Sequence, residues 1–304
     1  MWLSFAFLSA ALLGVYDVFK KHALRDNAVI PILFINTLVC AAFFSPLIVG
    51  SAFGWIANDS VLFLPKGNFA AHLLVVLKSV IVLSSWLCGY FAIKHLPLTI
   101  VGPINATRPV MTLIGALLIY GECLNVWQWL GVALAVLSFY LLGQSSKKEG
   151  IHFSHNRWVF LLVLAAVLGS ASGLYDKFLM AHVSQGGAGL DRLFVQGWYN
   201  VYQAAMMLII LFVLWWPSRR RTTPFRMRSS ILCISLFLTA ADMAYFYALS
   251  QPDALISVVS MVRRSSVVVS FAFGAMLFRE KNLRAKAFDL FLILLGMLCI
   301  ALGS

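Results

Sequence analysis

The sequence predicts an all-α integral membrane protein of ten transmembrane helices, arranged as two inverted five-helix repeats. Three observations predict this fold: extreme apolarity, apolar runs of membrane-spanning length, and an internal duplication of motifs. The chain has 304 residues, 62% of them hydrophobic, and a mean hydropathy of +0.91. This is far too apolar for a soluble globular protein.

Apolar runs supply the predicted helices. About 20 residues, at a rise of roughly 1.5 Å each, cross the hydrocarbon core of a bilayer. Runs of that length are predicted at 2–20, 30–54, 71–93, 98–120, 126–143, 158–180, 194–216, 230–250, 254–278 and 285–303. No basic region precedes the first run, so it is predicted to be a retained helix and not a signal peptide.

Positive charge is concentrated in alternate loops, which indicates the orientation of the helices. The net charge of the chain is +12. The first, third, fifth, seventh and ninth loops carry, in that order, the basic residues Lys20, Lys21, Arg25; Lys94; Lys147, Lys148, Arg157; Arg219, Arg220, Arg221, Arg226, Arg228; and Arg279, Lys281, Arg284, Lys286. Such clustering in short loops is typical of topology signals and excludes nucleic-acid binding. It predicts a multi-pass protein of a bacterial-type inner (cytoplasmic) membrane, with these loops in the cytoplasm and both termini outside.

An internal repeat divides the chain into five-helix units at 1–145 and 151–304. The segment Gly14–Phe19 recurs as Gly173–Phe178, near the ends of the first and sixth predicted helices. Farther along, Tyr90 matches Tyr245, Arg108 matches Arg263, and Glu122 matches Glu280. An odd number of helices per repeat makes the two halves run in opposite directions, as in many secondary transporters.

Three arginines are predicted to reach the middle of the membrane. Arg108 lies about ten residues into the fourth helix, and Arg263 and Arg264 about ten residues into the ninth, which is roughly 15 Å deep. A guanidinium there costs at least about 2.5 kcal/mol and indicates a binding site or a pathway. Asp242, at the same depth, is the predicted charge partner or coupling residue. The remaining positive charge favours an anionic ligand.

Further candidate residues surround this cluster. The predicted substrate-binding set adds Asn105, Tyr90, Tyr245 and Ser260 to the three arginines. Asp17 and Asp176, related by the repeat, are hypothetical gate residues that would latch one side of a cavity by pairing with a neighbour such as Lys20 or Lys177, or with a cation across the bundle. Solvated or purely local carboxylates are the alternative.

The order and doubling of these motifs resemble a known family. In each five-helix unit a short turn, Gly121-Glu122-Cys123-Leu124 or Arg279-Glu280-Lys281-Asn282-Leu283, precedes a last helix that contains glycine. This resembles the EamA-like branch of the drug/metabolite transporter superfamily, over nearly the whole chain. The resemblance implies a transporter whose cavity is lined by helices one, three, four, six, eight and nine.

A second resemblance concerns the arginines alone. In the plastid sugar-phosphate/phosphate translocators of that superfamily, helix nine carries an adjacent Lys-Arg pair and helix four a lysine, which clamp the substrate phosphate. Arg263, Arg264 and Arg108 look like the matching positions, with arginine in place of lysine. By analogy, the resemblance implies a phosphorylated substrate.

The leading hypothesis is therefore a secondary transporter that moves a small organic anion, phosphorylated compounds included, by alternating access. The alternative is an exporter of amino acids or other amphiphilic metabolites or drugs; an anionic-lipid flippase and a membrane-embedded enzyme are further classes. Scattered cysteines and histidines predict no metal and no cofactor, and the absence of a nucleotide-binding loop argues against direct ATP drive. The expected partners are the substrate and the lipid bilayer, with the protein a monomer or homodimer.

Overall fold

The computed structural model describes residues 2–60, 62–111, 114–115, 125–147, 156–180, 183, 186–249, 262–278 and 283–303. Regular structure in these ranges is helical throughout, without a strand. The helices are α1 Trp2–Leu24, α2 Val29–Ala52, α3 Phe69–His95, α4 Leu98–Ala106, α5 Val126–Lys147, α6 Arg157–Met180, α7 Arg192–Ile210, α8 Ser229–Leu249, α9 Ser266–Phe278 and α10 Leu283–Leu302. A π-helical turn, Leu211–Trp215, and a last turn, Trp216–Ser218, extend α7.

Among the described residues, six helices are long and apolar enough to cross a membrane. They are α1, α2, α3, α5, α6, and α7 with its extension. The first part of α8, Ser229–Tyr245, is apolar but shorter. The all-helical, membrane-spanning class expected from the sequence is therefore confirmed, whereas the ten-helix inverted repeat stays a prediction.

α1 extends four residues beyond its predicted end at residue 20. The helix runs to Leu24, so Lys20 and Lys21, expected in the first loop, lie on the helix itself. The cause is visible at Lys21, whose Nζ donates hydrogen bonds to the carbonyl oxygens of Ile93 and Leu96 at 2.6 and 2.5 Å. These carbonyls belong to the end of α3 and the residue after it, where a cation stabilises the last turn of a helix.

The fourth predicted helix, expected to run unbroken from 98 to 120, is interrupted. α4 ends at Ala106, Thr107 is a turn residue, and helix resumes at 108–111. Pro109, which has no amide hydrogen to donate, follows the interruption. The Thr107 hydroxyl donates to the carbonyl oxygen of Ile104 at 2.7 Å, a local bond that competes with the helical pattern.

A similar interruption occurs in the second half. Residues 262–264 are helical, Ser265 is a turn residue, and α9 begins at Ser266. The Ser265 hydroxyl donates to the carbonyl oxygen of Val262 at 2.6 Å. Both interruptions therefore lie beside an arginine, Arg108 in the first half and Arg264 in the second.

Helix packing surrounds these interruptions. α1 packs along α8 and α9, while α6 packs along α3 and α4. α2 lies on α7, α4 on α9, and α5 on α10. α5 and α10 approach closely at Gly131, where an added Cβ would lie 2.6 Å from the carbonyl oxygen of Gly296. Only glycine fits at that position. The largest buried apolar cluster joins α1, α2, α3 and α4 with parts of α5, α6, α7 and α8.

The basic chain segments meet on one face of the bundle. Lys94 at the end of α3 donates to the Thr223 hydroxyl of the α7–α8 loop at 2.9 Å. The ring of His95 stacks on that of Trp158, at the start of α6, with 3.6 Å between centroids. The α1–α2 turn also bonds the α7–α8 loop through Asn27. Five loops are assigned to one side of the membrane by their charge. The described residues at the ends of the first, third, fifth and seventh loops contact one another on this face.

Candidate functional site

Arg263 and Asp242 form an ion pair in the interior of the bundle. The Nη2 atom of Arg263 donates to Oδ1 of Asp242, and the two side chains are 19% and 14% exposed. Tyr245, one helical turn after Asp242 on α8, places its ring 4.3 Å from the Arg263 guanidinium carbon. A half-buried cation is stabilised by both the carboxylate and the aromatic face. The Nε atom of Arg263 is buried and has no hydrogen-bond partner among the described residues.

Arg264 differs from its neighbour in its surroundings. It lies close enough to Arg108 and Arg263 to be repelled by both, and Asp17 attracts it more weakly. Its side chain is partly buried. Within the described part of the chain it makes no ion pair and no hydrogen bond.

Arg108 approaches the same region from the first half of the chain. Asp17 and Tyr16 act on it electrostatically. Its guanidinium lies directly on the backbone of Gly169 in α6, where an added Cβ would be 2.9 Å from Cζ and 3.0 Å from Nη1. The next residue, Ser170, donates its hydroxyl to the Arg108 carbonyl oxygen at 3.0 Å. α6 therefore fixes both the backbone and the head of this arginine.

Asn105 precedes Arg108 by three residues on α4. Its Oδ1 atom is buried and accepts no hydrogen bond from the described residues. An unsatisfied buried acceptor is costly unless a ligand or water supplies a donor. Ser260, the remaining member of the predicted binding set, lies outside the described residues.

Asp17 and Lys20 form a local ion pair on α1. Oδ1 of Asp17 lies 2.7 Å from Nζ of Lys20, which is only 7% exposed. The lysine also lies over the rings of Tyr16 and Tyr90, at 4.3 and 5.2 Å from the centroids. The two phenol oxygens are 3.3 Å apart. Tyr90 thus belongs to a small aromatic enclosure around Lys20.

Asp176 pairs across the bundle. Its Oδ1 accepts a hydrogen bond from Nζ of Lys78 on α3, and the lysine lies 5.1 Å from the ring centroid of Tyr199 on α7. Lys78 is 6% exposed, so it does not reach the surface. Because Lys78 and Tyr90 are twelve residues apart on α3, roughly 18 Å separates the two acid–lysine pairs.

Sequence reasoning missed several of these contacts. The sequence predicts Lys20 as a partner of Asp17, three residues earlier, but it does not predict the rings of Tyr16 and Tyr90 around that lysine. Gly169 has no distinguishing pattern in the sequence. No comparable signal points to Gly169, since its role depends on how α4 packs against α6. The described residues contain no group of histidine, cysteine and carboxylate side chains that could hold a metal ion.

Comparisons with known proteins support the class of the chain. Residues 1–144 match the family described as the EamA-like transporter family. No curated protein matches the sequence. One solved crystal structure, described only as that of a protein, shares 14% sequence identity, covers 99% of this chain and 97% of its own, and superposes with a TM-score of 0.62. At that identity the likeness concerns the fold alone.

Proposed function

We propose that this chain, whose residues 1–144 match the EamA-like transporter family within the drug/metabolite transporter superfamily, is a secondary transporter of a small organic anion. Members of the family are transporters and not enzymes. The chain is accordingly an integral, multi-pass membrane protein that moves a small molecule across the bilayer. The anionic nature of the substrate and the alternating-access mechanism are our proposals.

The excess of positive charge in the interior carries the proposal. Among the described residues of this interior, four cations, Lys20, Arg108, Arg263 and Arg264, are accompanied by two carboxylates, those of Asp17 and Asp242, so the cations exceed the carboxylates by two. Such an excess in a low-dielectric interior is costly unless an anion occupies it. A dianion, or an anionic group with hydroxyls, would match the charge.

The individual contacts refine the substrate class. Asp242 already engages Arg263 through Nη2, so Arg264 is the arginine we assign to the anion, with Arg108 from the first half of the chain close beside it. An arginine fork binds phosphate or carboxylate through two parallel hydrogen bonds. The unsatisfied Asn105 Oδ1 adds an acceptor for a substrate hydroxyl. A hydroxylated organic phosphate or carboxylate satisfies all of these groups.

Helix packing supports alternating access. In an inverted repeat, each helix has a counterpart five places away: α1 corresponds to α6, α2 to α7, α3 to α8, α4 to α9 and α5 to α10. The counterpart of the α1–α8 contact is then α6–α3, that of α1–α9 is α6–α4, and that of α2–α8 is α7–α3, and all of these contacts occur. The contacts α2–α7, α4–α9 and α5–α10 each join a helix to its own counterpart. We take this correspondence as support for an inverted repeat, in which the halves rock around a central site. Asp17 and Asp176 are the proposed gate residues on opposite sides.

Thermal stabilisation of the purified protein tests the function. Phosphorylated sugars, inorganic phosphate, dicarboxylates and amino acids would each be added, because a ligand of the folded state raises the melting temperature. We expect anions to raise it by several degrees, and Arg264→Gln to abolish that response. The exposed Arg284→Gln is the matched control and keeps it. A response to amino acids or neutral metabolites, with none to anions, would instead establish the exporter alternative.

A further inference from the structure

The loop between α7 and α8 carries an unusual concentration of one charge. Arg219, Arg220, Arg221, Arg226 and Arg228 lie within ten residues, and the sequence contains no acidic residue between Asp191 and Asp242. Four of the five, Arg219, Arg220, Arg221 and Arg226, are exposed. These four exposed residues are called the arginine array below.

Neighbouring segments fasten this loop in place. The buried Asn27 donates from Nδ2 to the Arg226 carbonyl oxygen at 2.7 Å, and its Oδ1 accepts from the Arg226 amide at 2.9 Å. Lys94 holds Thr223 at 2.9 Å. Nη1 of Arg228 donates to two carbonyl oxygens at the end of α1, at 3.1 and 3.0 Å. Charges that served only to orient the chain during insertion would need no such fixed loop.

An apolar, outward-facing surface leads directly into the array. Phe212, Val213 and Leu214, in the π-helical turn, are 54%, 64% and 59% exposed, and Trp216 is 50% exposed. The guanidinium carbon of Arg219 lies 3.9 Å from the Trp216 ring centroid. Tryptophan favours the level of the lipid headgroups, so the stacked arginine lies at that level as well.

We propose that the arginine array binds the headgroup of an anionic phospholipid in the adjacent leaflet, with the acyl chains along Phe212–Leu214 and Trp216. Both parts of the surface match the two parts of such a lipid: cationic forks for the phosphate and an apolar wall for the chains. Each arginine near an anionic surface strengthens binding about fivefold, so three contribute about a hundredfold. This site is separate from the central arginines and does not depend on the proposed substrate.

Native mass spectrometry of the full chain in a neutral detergent tests the proposal. Dioctanoyl phosphatidylglycerol and dioctanoyl phosphatidylcholine would be titrated in parallel, and we expect a clear preference for the first. Changing Arg219→Gln, Arg220→Gln and Arg221→Gln together should lower the affinity for phosphatidylglycerol about a hundredfold. A control with Lys66→Gln, Arg157→Gln and Arg284→Gln removes the same charge from other exposed positions and should retain the preference.

A second variant separates lipid binding from membrane insertion. Replacing the same three arginines with lysine keeps the charge that orients the chain, so it should insert normally and still prefer phosphatidylglycerol. An unchanged preference in the glutamine variant would overturn the proposal, as would an equal loss in the control. Displacement of the lipid by equimolar glycerol phosphate would also overturn it, because the site would then be one for soluble anions.

Discussion

Neighbouring arginines in this protein have different contacts, and the difference determines what each can bind. Arg263 is engaged by Asp242 and covers the Tyr245 ring, so it holds α8 against the start of the ninth helical segment. Arg264, the next residue, has no such partner in the described ranges. Sequence alone treated them as an equivalent pair. Only their packing distinguishes the arginine that pairs with Asp242 from the one that has no such pair in the described ranges.

Gly169 provides a test of the Arg108 position. Gly169→Ala would place a Cβ 2.9 Å from the Arg108 guanidinium carbon, and the flexible side chain must move. Because the displaced group is the end of a long side chain, we expect the protein to fold normally but to bind its anion about tenfold more weakly, which is about 1.4 kcal/mol. Ligand titration followed by thermal stabilisation measures this effect.

Gly173→Ala is the matched control for that experiment. It lies one turn farther along α6, and a Cβ there meets nothing within 4 Å. Both substitutions raise helix propensity by about 1 kcal/mol, so this contribution cancels in the comparison. Equal anion affinities in the Gly169→Ala and Gly173→Ala variants would show that anion binding does not depend on the contact between the Arg108 guanidinium and Gly169.

At the scale of helices, the sequence predicted the apolar segments better than their interruptions. Hydropathy placed a helix over 98–120, but hydropathy does not report hydrogen bonding within the backbone. Pro109 cannot donate a backbone hydrogen bond, but in the turn at Thr107 the threonine hydroxyl also bonds the carbonyl oxygen of Ile104. At Ser265 no proline marks the interruption. Serine and threonine are common in unbroken membrane helices, so their presence alone could not predict it.

The ion pair between Lys78 and Asp176 joins two helices, α3 and α6, and tests the proposed gate. Lys78→Met and Asp176→Asn each break a pair whose lysine is buried, so the change is worth more than the roughly 1 kcal/mol of an exposed pair and should shift the ratio of two access states at least about fivefold. We expect either variant to lower anion exchange in liposomes at least about threefold. The double variant should exchange anions no more slowly than either single variant, because each single substitution already removes the same ion pair.

Arg25→Gln is the control for the gate experiment. Arg25 and Asp26 approach within 3.9 Å, but their side chains are 73% and 82% exposed, so removing this pair should leave exchange unchanged. Unchanged rates in Lys78→Met and Asp176→Asn would mean that their pair is a static contact. The gate hypothesis for Asp176 would then be abandoned.

Over the whole molecule, apolar composition and the length of the apolar runs predicted the membrane class, while pairings between distant residues could not be predicted. Asp176 had been matched with Lys177 as one candidate, because the two are adjacent in sequence, or with a cation elsewhere in the bundle. Its observed partner, Lys78, is 98 residues away. That choice depends on α3 packing against α6, and one sequence contains no information on helix contacts beyond the repeat itself.

The distribution of basic residues predicts the orientation of the whole bundle. Lys94, Trp158 and the α7–α8 loop lie together, so the basic residues of these segments occupy one face, which the positive-inside bias assigns to the cytoplasm. In a variant lacking the five native cysteines, Asp59→Cys should react with a membrane-impermeant maleimide in intact cells, since the α2–α3 loop is predicted outside. Thr222→Cys should react only after permeabilisation. Both positions are exposed, so neither result would reflect burial. The opposite labelling pattern would invert the orientation, and with it the prediction that both termini lie outside.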